Sequence, residues 1–296
     1  MKQILRIFIL VLFIQFCPAP NILNADDTLP DANAPGKEVN ETKTIRLFTS
    51  LVDGKKNAAD TDTPQLLILT NELQPVHEQY LKELLSDPLF IDITQNSLTA
   101  VRLEFPLKKD STKEEVEEVS EFVRKHKIIK KPLQFMLINS KTGEELFLVD
   151  PASDAPAGLL KKINSLLPGN YKGQWIDNFK AGEMIAQKTG RHMLINFTGS
   201  DWCIWCERLK EEVFEHEAFK KYAEEKLVLV EIDFPRKTQL PEKTKLQNDK
   251  LAEKFDIRGY PSVIILGADG QLVGTTGYVQ GGAEEFLAGL KQMMAN

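Results

Sequence analysis

From residue 64 onward, short apolar runs alternate with stretches in which apolar residues recur every three or four positions. "QLLILT", "TAVRLEF", "LQFMLIN" and "EELFLV" have the length and β-branched or aromatic content of buried strands. "PVHEQYLKELL", with Pro75 in its first turn, "KEEVEEVSEFVRKH" and "AGLLKKINSLL" have helical spacing. The same order follows in the second half. "MLINFT", "KLVLVEIDF", "SVIIL" and "QLVGTTG" are predicted strands, and "CERLKEEVF", "NDKLAEKF" and "AEEFLAGLKQMM" are predicted helices. Each half therefore reads β-α-β-α-β-β-α, and the second half adds a helix in "WIDNFKAGEMIAQKTG". Crossover helices call for parallel strands, while the short turns "SKTG" and "GADG" call for an antiparallel final pair. The predicted fold class is α/β: two tandem domains, each a mixed central sheet flanked by helices.

The halves also keep register. Phe219 and Phe90, Phe234 and Phe105, Pro235 and Pro106, and Pro261 and Pro132 all differ by 129 (219 − 90 in the first case). Equal spacing across two strands, a helix and a proline implies an internal duplication. The two domains are expected over 64–168 and 169–296. The preceding 26–63, rich in Asp, Asn, Thr and Pro, is read as a flexible tether with a strand at "TIRLF".

The first 25 residues have a basic start, an apolar run from Ile7 to Phe16 and a small-polar tail, the pattern of an export signal cut after Ala25. Leu23 and Ala25 suit the -3 and -1 positions of the cut. The apolar run is shorter than the roughly 20 residues that span a bilayer, so no stable insertion is expected once the signal is removed, with an uncleaved anchor as the alternative. Cys17 invites comparison with a lipid-modified cysteine, but the bulky Phe16 before it argues against this. The expected location is periplasmic or secreted. A formal charge of -6 does not favour a nucleic-acid partner, and none is expected.

Of three cysteines, Cys17 falls in the predicted signal, which leaves Cys203 and Cys206 in "INFTGSDWCIWCERLKEEVF". A staple across two intervening residues closes too small a loop to stabilise much. A structural zinc site needs about four ligands. The nearest candidates, His192 and His216, lie before the strand and beyond the helix, without ligand spacing, and read better as surface residues. The pair instead stands where a strand gives way to a helix. Free N–H groups and the helix dipole there favour a thiolate, so Cys203 is the expected nucleophile and Cys206, one turn in, the more buried resolving thiol. Glu207 follows directly; its charge opposes thiolate formation slightly, or it simply suits the helix dipole.

"FTGSDWCIWCERL", "LVLVEIDFP", "IRGYPS" and "GYVQGG" together resemble the thioredoxin-fold superfamily, especially its exported bacterial branch with a Trp-Cys-X-X-Cys site, over nearly all of 175–294. The resemblance implies thiol–disulfide exchange with no metal or organic cofactor, protein disulfides as clients, and a membrane electron donor to recharge the pair. It also implies a cis peptide before Pro261 and a substrate groove formed by Trp202, Tyr260 and Pro261. Trp202 is expected at an exposed rim, whereas Trp205 fits rim or core equally. Many relatives have an Asp acting as a buried proton acceptor where Asn196 stands. An amide cannot fill that role, so slower resolution of mixed disulfides is expected, with water or another acid, Asp233 or Glu231, as the substitute acceptor. The offset lays "QPVH" (Gln74 to His77) over the cysteine pair, so the first domain is expected to be redox-silent, with His77 an ordinary helix residue. A competing reading of the whole chain is a client-binding, chaperone-like module whose redox activity is vestigial.

Overall fold

A computed structural model describes residues 45–128, 131–149, 151 and 155–295. The predicted signal, its cleavage site and Cys17 lie outside the described residues, as does the first half of the predicted tether, 26–44. Among the described residues no helix is long and apolar enough to cross a membrane.

The first half runs β1 (Leu47–Phe48), α1 (Leu51–Thr61), β2 (Gln65–Asn71), α2 (Pro75–Ser86), α3 (Pro88–Asn96), β3 (Thr99–Phe105), α4 (Lys113–His126), β4 (Leu133–Ile138), β5 (Glu145–Val149) and α5 (Pro156–Leu166). After a 3-10 turn at Pro168–Asn170 the second half repeats the order. It comprises β6 (Trp175–Ile176), α6 (Phe179–Thr189), β7 (His192–Thr198), α7 (Ile204–Leu209), α8 (Glu217–Lys226), β8 (Leu227–Asp233), α9 (Glu242–Lys254), β9 (Ser262–Leu266), β10 (Leu272–Thr276) and α10 (Gly282–Met294). A π-helical turn at Lys210–Phe214 extends α7.

Both halves build five-stranded mixed sheets of one topology, β1-β3-β2-β4-β5 and β6-β8-β7-β9-β10. Within each, three strands are parallel and the last two antiparallel to their neighbours. The expected α/β architecture of two mixed sheets with flanking helices is present.

Two expectations need correction. The helix read as an addition to the second half, now α6, has a counterpart in α1, which together with β1 lies inside the stretch read as tether. Its start is capped by Ser50, whose hydroxyl accepts the Asp53 N–H at 3.3 Å. The face it buries consists of Leu51, Gly54 and Ala58, too little apolar volume to give a visible periodicity. Gly54 is required there: a Cβ would stand 2.2 Å from a Val101 methyl.

The offset is also not constant. Pro75 and Ile204, which open α2 and α7, differ by 129, but Gln65 and His192, which open β2 and β7, differ by 127. The first half uses three residues (72–74) between that strand and helix where the second uses five (199–203).

Alternation along the strands sends successive side chains to opposite faces. In the first sheet Leu67, Leu69 and Val101 pack under α1 and α4, while Leu66, Ile68 and Ala100 pack under α2, α3 and α5. The second apolar layer continues through α5, Tyr171 and α6 to Met193, Ile195 and Phe197 of β7, so one core joins the two sheets. Leu194 and Leu229 face the other way, under α7, α8 and α10. Tyr171 fastens the junction. Its hydroxyl donates to the Gln174 carbonyl and accepts the Leu229 N–H, both at 2.7 Å, and burial raises its pKa. At the surface of the same junction Asp62 pairs with Lys188 at 2.9 Å and Lys141 at 3.1 Å.

Candidate active site

Strand β7 ends at Thr198, and five residues later the chain enters α7 with Cys203 as N-cap. Two bonds shape this loop. The Cys203 N–H donates to the Gly199 carbonyl at 2.9 Å, and the Cys206 N–H donates to Cys203 Sγ at 3.2 Å. Cys203 thus sits at the positive end of the helix with an amide aimed at its sulfur, an arrangement that favours a thiolate. The two cysteines are joined as a disulfide with a Cα–Cα distance of 5.2 Å. Cys206 is 6% exposed, whereas Cys203 is half-buried, the asymmetry expected of a resolving and an attacking thiol.

Acidic side chains pin the loop. Asp233 accepts the Ser200 N–H at 2.8 Å and the Ser200 hydroxyl at 2.6 Å, while its own carbonyl accepts from Asn248 Nδ2 at 2.8 Å. Asp201 accepts the Arg236 and Lys237 N–H groups at 2.9 and 2.7 Å; these bonds, Arg236's first, lower its pKa. Both carboxylates tie the cysteine loop to the end of β8.

Trp202 is more buried than the exposed rim expected of it, and Trp205, for which rim and core were both open, takes the rim. Trp202 is half-buried: Nε1 donates to the Phe234 carbonyl at 2.8 Å, the Arg236 guanidinium lies 3.8 Å over its ring, and Tyr260 meets it edge-on at 5.6 Å. Trp205 is the exposed one at 50%, with the Arg208 guanidinium 4.8 Å from its ring centre and Tyr278 at 5.3 Å. Neighbouring Ile204 is 63% exposed. The Tyr260–Pro261 bond is cis, while among the described residues the first half has its cis bond at Phe105–Pro106 and not at Pro132. Tyr260 also packs on Phe234 at 5.4 Å, so Trp202, Phe234 and Tyr260 form one aromatic group beside the pair. Arg236, Tyr278 and Gly199 were not singled out in the sequence. The run "DFPRK" held the signal for Arg236, a cation placed just after the strand that faces the cysteine loop.

Asn196 lies on β7 and is 5% exposed, and its Oδ1 has no hydrogen-bond partner. Its neighbour on β8 is Glu231, a half-buried carboxyl. Burial raises the pKa of Glu231, reinforced by Asp233 and Asp177 and opposed by Lys210. Glu207 is exposed in the first turn of α7.

The histidines do not gather. His192 begins β7, His216 caps α8 by accepting the Ala218 N–H at 3.3 Å, and His77 lies on α2. Among the described residues no group of three or more His, Cys, Asp or Glu side chains is arranged to hold a metal ion. In the first half Gln74 occupies the N-cap position that Cys203 fills in the second, and it makes no side-chain capping bond.

Residues 180–294 match the sequence model of a thioredoxin-like domain family. Two curated relatives come from Chlamydia pneumoniae. The disulfide bond reductase DsbH is 32% identical over 98 residues, covering 33% of this chain and 59% of the relative. The thioredoxin-related protein DsbJ is 35% identical over 74 residues, covering 25% of this chain and 21% of the relative. The chain therefore spans less than two thirds of either relative's length. Among solved structures, a DsbH oxidoreductase shares 24% identity with a TM-score of 0.40, covering 52% of this chain and 96% of its own. A thioredoxin from Thermus thermophilus shares 20% identity with a TM-score of 0.33, covering 41% and 86%.

Proposed function

Proceeding from a thioredoxin-like domain at residues 180–294, we propose that the protein is an exported thiol–disulfide oxidoreductase that reduces or exchanges disulfides of protein clients through Cys203 and Cys206. The observation that carries this reading is the N-cap position of Cys203, its sulfur facing the Cys206 amide at 3.2 Å and already bonded to the buried Cys206. In the reduced protein the Cys203 thiolate attacks a client disulfide and expels one client sulfur as thiolate. Cys206 then loses its proton and attacks Cys203 Sγ, releasing the second client sulfur and re-forming the internal disulfide. The client gains two electrons and the cysteine pair loses two, so no other cofactor enters.

Net reduction of clients is the favoured direction, supported by the relative named as a disulfide bond reductase. It requires a thiol donor to recharge the pair, and an export signal at 1–25 suits a donor at the membrane. The groove for an extended client is assigned to Trp202, Tyr260 and Pro261, bordered by the exposed Ile204 and Trp205. The first half, β1 to α5, with Gln74 at the cysteine position, is assigned a redox-silent supporting role, and 169–296 carries the exchange.

That exposed apolar rim also favours a second reading, in which the protein holds unfolded clients and exchanges disulfides only weakly. Turnover of a disulfide-bonded client by wild type and Cys203→Ser separates the two. Rapid reduction by wild type, abolished in the variant, supports exchange; equal and negligible rates support holding. Cys206→Ala should accumulate mixed disulfides whose partners identify clients and donor.

A further inference from the structure

Asn196 and Glu231 are register partners on the parallel strands β7 and β8. Side-chain alternation puts them on the face that carries Leu194 and Leu229. That face packs against Leu209 and Val213, on the helix that also holds Cys206. A buried amide oxygen without a donor is costly, and native structures rarely keep one without a functional or structural reason. Asn196 Oδ1 is such an atom, and a carboxyl stands beside it on the next strand.

The Glu231 carboxyl makes no hydrogen bond or ion pair among the described residues, although its backbone is part of the β7–β8 ladder. The charged groups acting on it are Asp233 on its own strand, Asp177 just past β6, and Lys210, whose N–H bonds the Cys206 carbonyl one turn along the helix. Burial and the two aspartates favour its protonated form over Lys210's opposing charge. Asp233, the other acid considered for proton transfer, has both carboxylate oxygens engaged by Ser200.

We propose that Glu231, paired across the sheet with Asn196, receives the proton of the Cys206 thiol when a mixed disulfide is resolved, and that Asn196 Oδ1 then accepts the hydrogen bond of the protonated carboxyl. This rests on the exchange reading above. The Cys206 S–H bond breaks and its proton passes to the Glu231 carboxylate. The sulfur's electron pair forms the bond to Cys203 Sγ, the bond from Cys203 to the client sulfur breaks, and the client leaves as thiolate. When a donor thiol later opens the internal disulfide, Cys206 leaves as thiolate and recovers the proton. The orphaned amide oxygen thus has a partner in one half of the cycle, and the acid sits on the strand next to the one where the sequence resemblance led to an expectation of it.

The test uses the full chain, reduced, mixed rapidly with excess of a fluorescent peptide disulfide, so that formation and resolution of the mixed disulfide are followed as separate phases from pH 5 to 9. Glu231→Gln is expected to slow resolution at neutral pH by about tenfold or more, to remove a carboxyl ionisation from the pH profile of that phase, and to leave formation unchanged. Adding Asn196→Asp to Glu231→Gln is expected to restore the rate by returning an acid to the adjacent strand. Resolution by Glu231→Gln at the wild-type rate with the wild-type profile, or a double variant no faster than the single one, overturns the proposal. Absence of the formation phase in wild type overturns the exchange reading and this inference with it.

Discussion

Gly199→Ala adds one carbon and tests how the site is locked to the fold. A Cβ on Gly199 would stand 2.4 Å from Trp202 Cε2 and 2.5 Å from Nε1, closer than such atoms ever approach, so the ring or the loop must move. If the ring moves, it gives up the bond to the Phe234 carbonyl, the edge contact with Tyr260 and the stack under Arg236. Together these contribute about 1.5–4 kcal/mol. If the backbone moves instead, it pulls the Gly199 carbonyl from the Cys203 N–H and loosens the turn that presents the nucleophile. Urea unfolding should therefore reveal a loss of about 1.5–4 kcal/mol, and alkylation of Cys203 in the reduced protein should become less selective over Cys206. A variant within about 0.5 kcal/mol of wild type, with unchanged alkylation rates, would refute the idea that Trp202 locks the loop.

Other consequences follow from the same packing. Tyr171→Phe strands the buried Leu229 N–H and Gln174 carbonyl at the junction of the halves and should cost about 2–4 kcal/mol in denaturant unfolding; a loss under about 1 kcal/mol would mean that these groups find other partners. Glu231 has a raised folded-state pKa, so between its unfolded and folded values the native state binds more protons and stability falls as pH rises. Glu231→Gln should thus be more stable than wild type at pH 8, with the advantage fading below the ordinary carboxylate value of about 4.3. A stability difference that stays constant across that range would exclude Glu231 as a strained acid. Asp62 has the opposite sign: its pKa is lowered by Lys188 first and Lys141 second. Its stabilisation is present above the unfolded value and lost as pH falls through the folded one, and Asp62→Asn should remove that acid dependence at a cost of about 0–1 kcal/mol at neutral pH.

The strands and most helices were legible because their buried faces are large and regularly spaced. "QLLILT" and "SVIIL" bury nearly every residue, and "KEEVEEVSEFVRKH" announces itself by the Thr112–Glu115 capping box. Helix α1 was not legible, because beyond Leu51 it buries a glycine and an alanine rather than large apolar side chains. The duplication was visible in four fixed spacings. Its finer register was not, since two residues missing from one loop shift β2 relative to α2 without disturbing either pattern. At the site, the cysteine spacing and the strand-to-helix position carried the chemistry into the sequence reading. Which tryptophan is exposed could not be read in the same way: Trp202 is drawn inward by Phe234 and Arg236, which follow β8, 32 and 34 positions later in the chain. The pairing of Asn196 with Glu231 likewise depends on strand register and is invisible until the sheet is assembled.

The central claim is that the N-cap sulfur is the attacking one, and the pH dependence of alkylation of each cysteine in the fully reduced chain tests it most directly. The account predicts that Cys203 reacts through a thiolate formed well below the free-cysteine value of about 8.5, with buried Cys206 slow until higher pH. Equal reactivity of both, each following a free thiol, or faster reaction at Cys206, would contradict it.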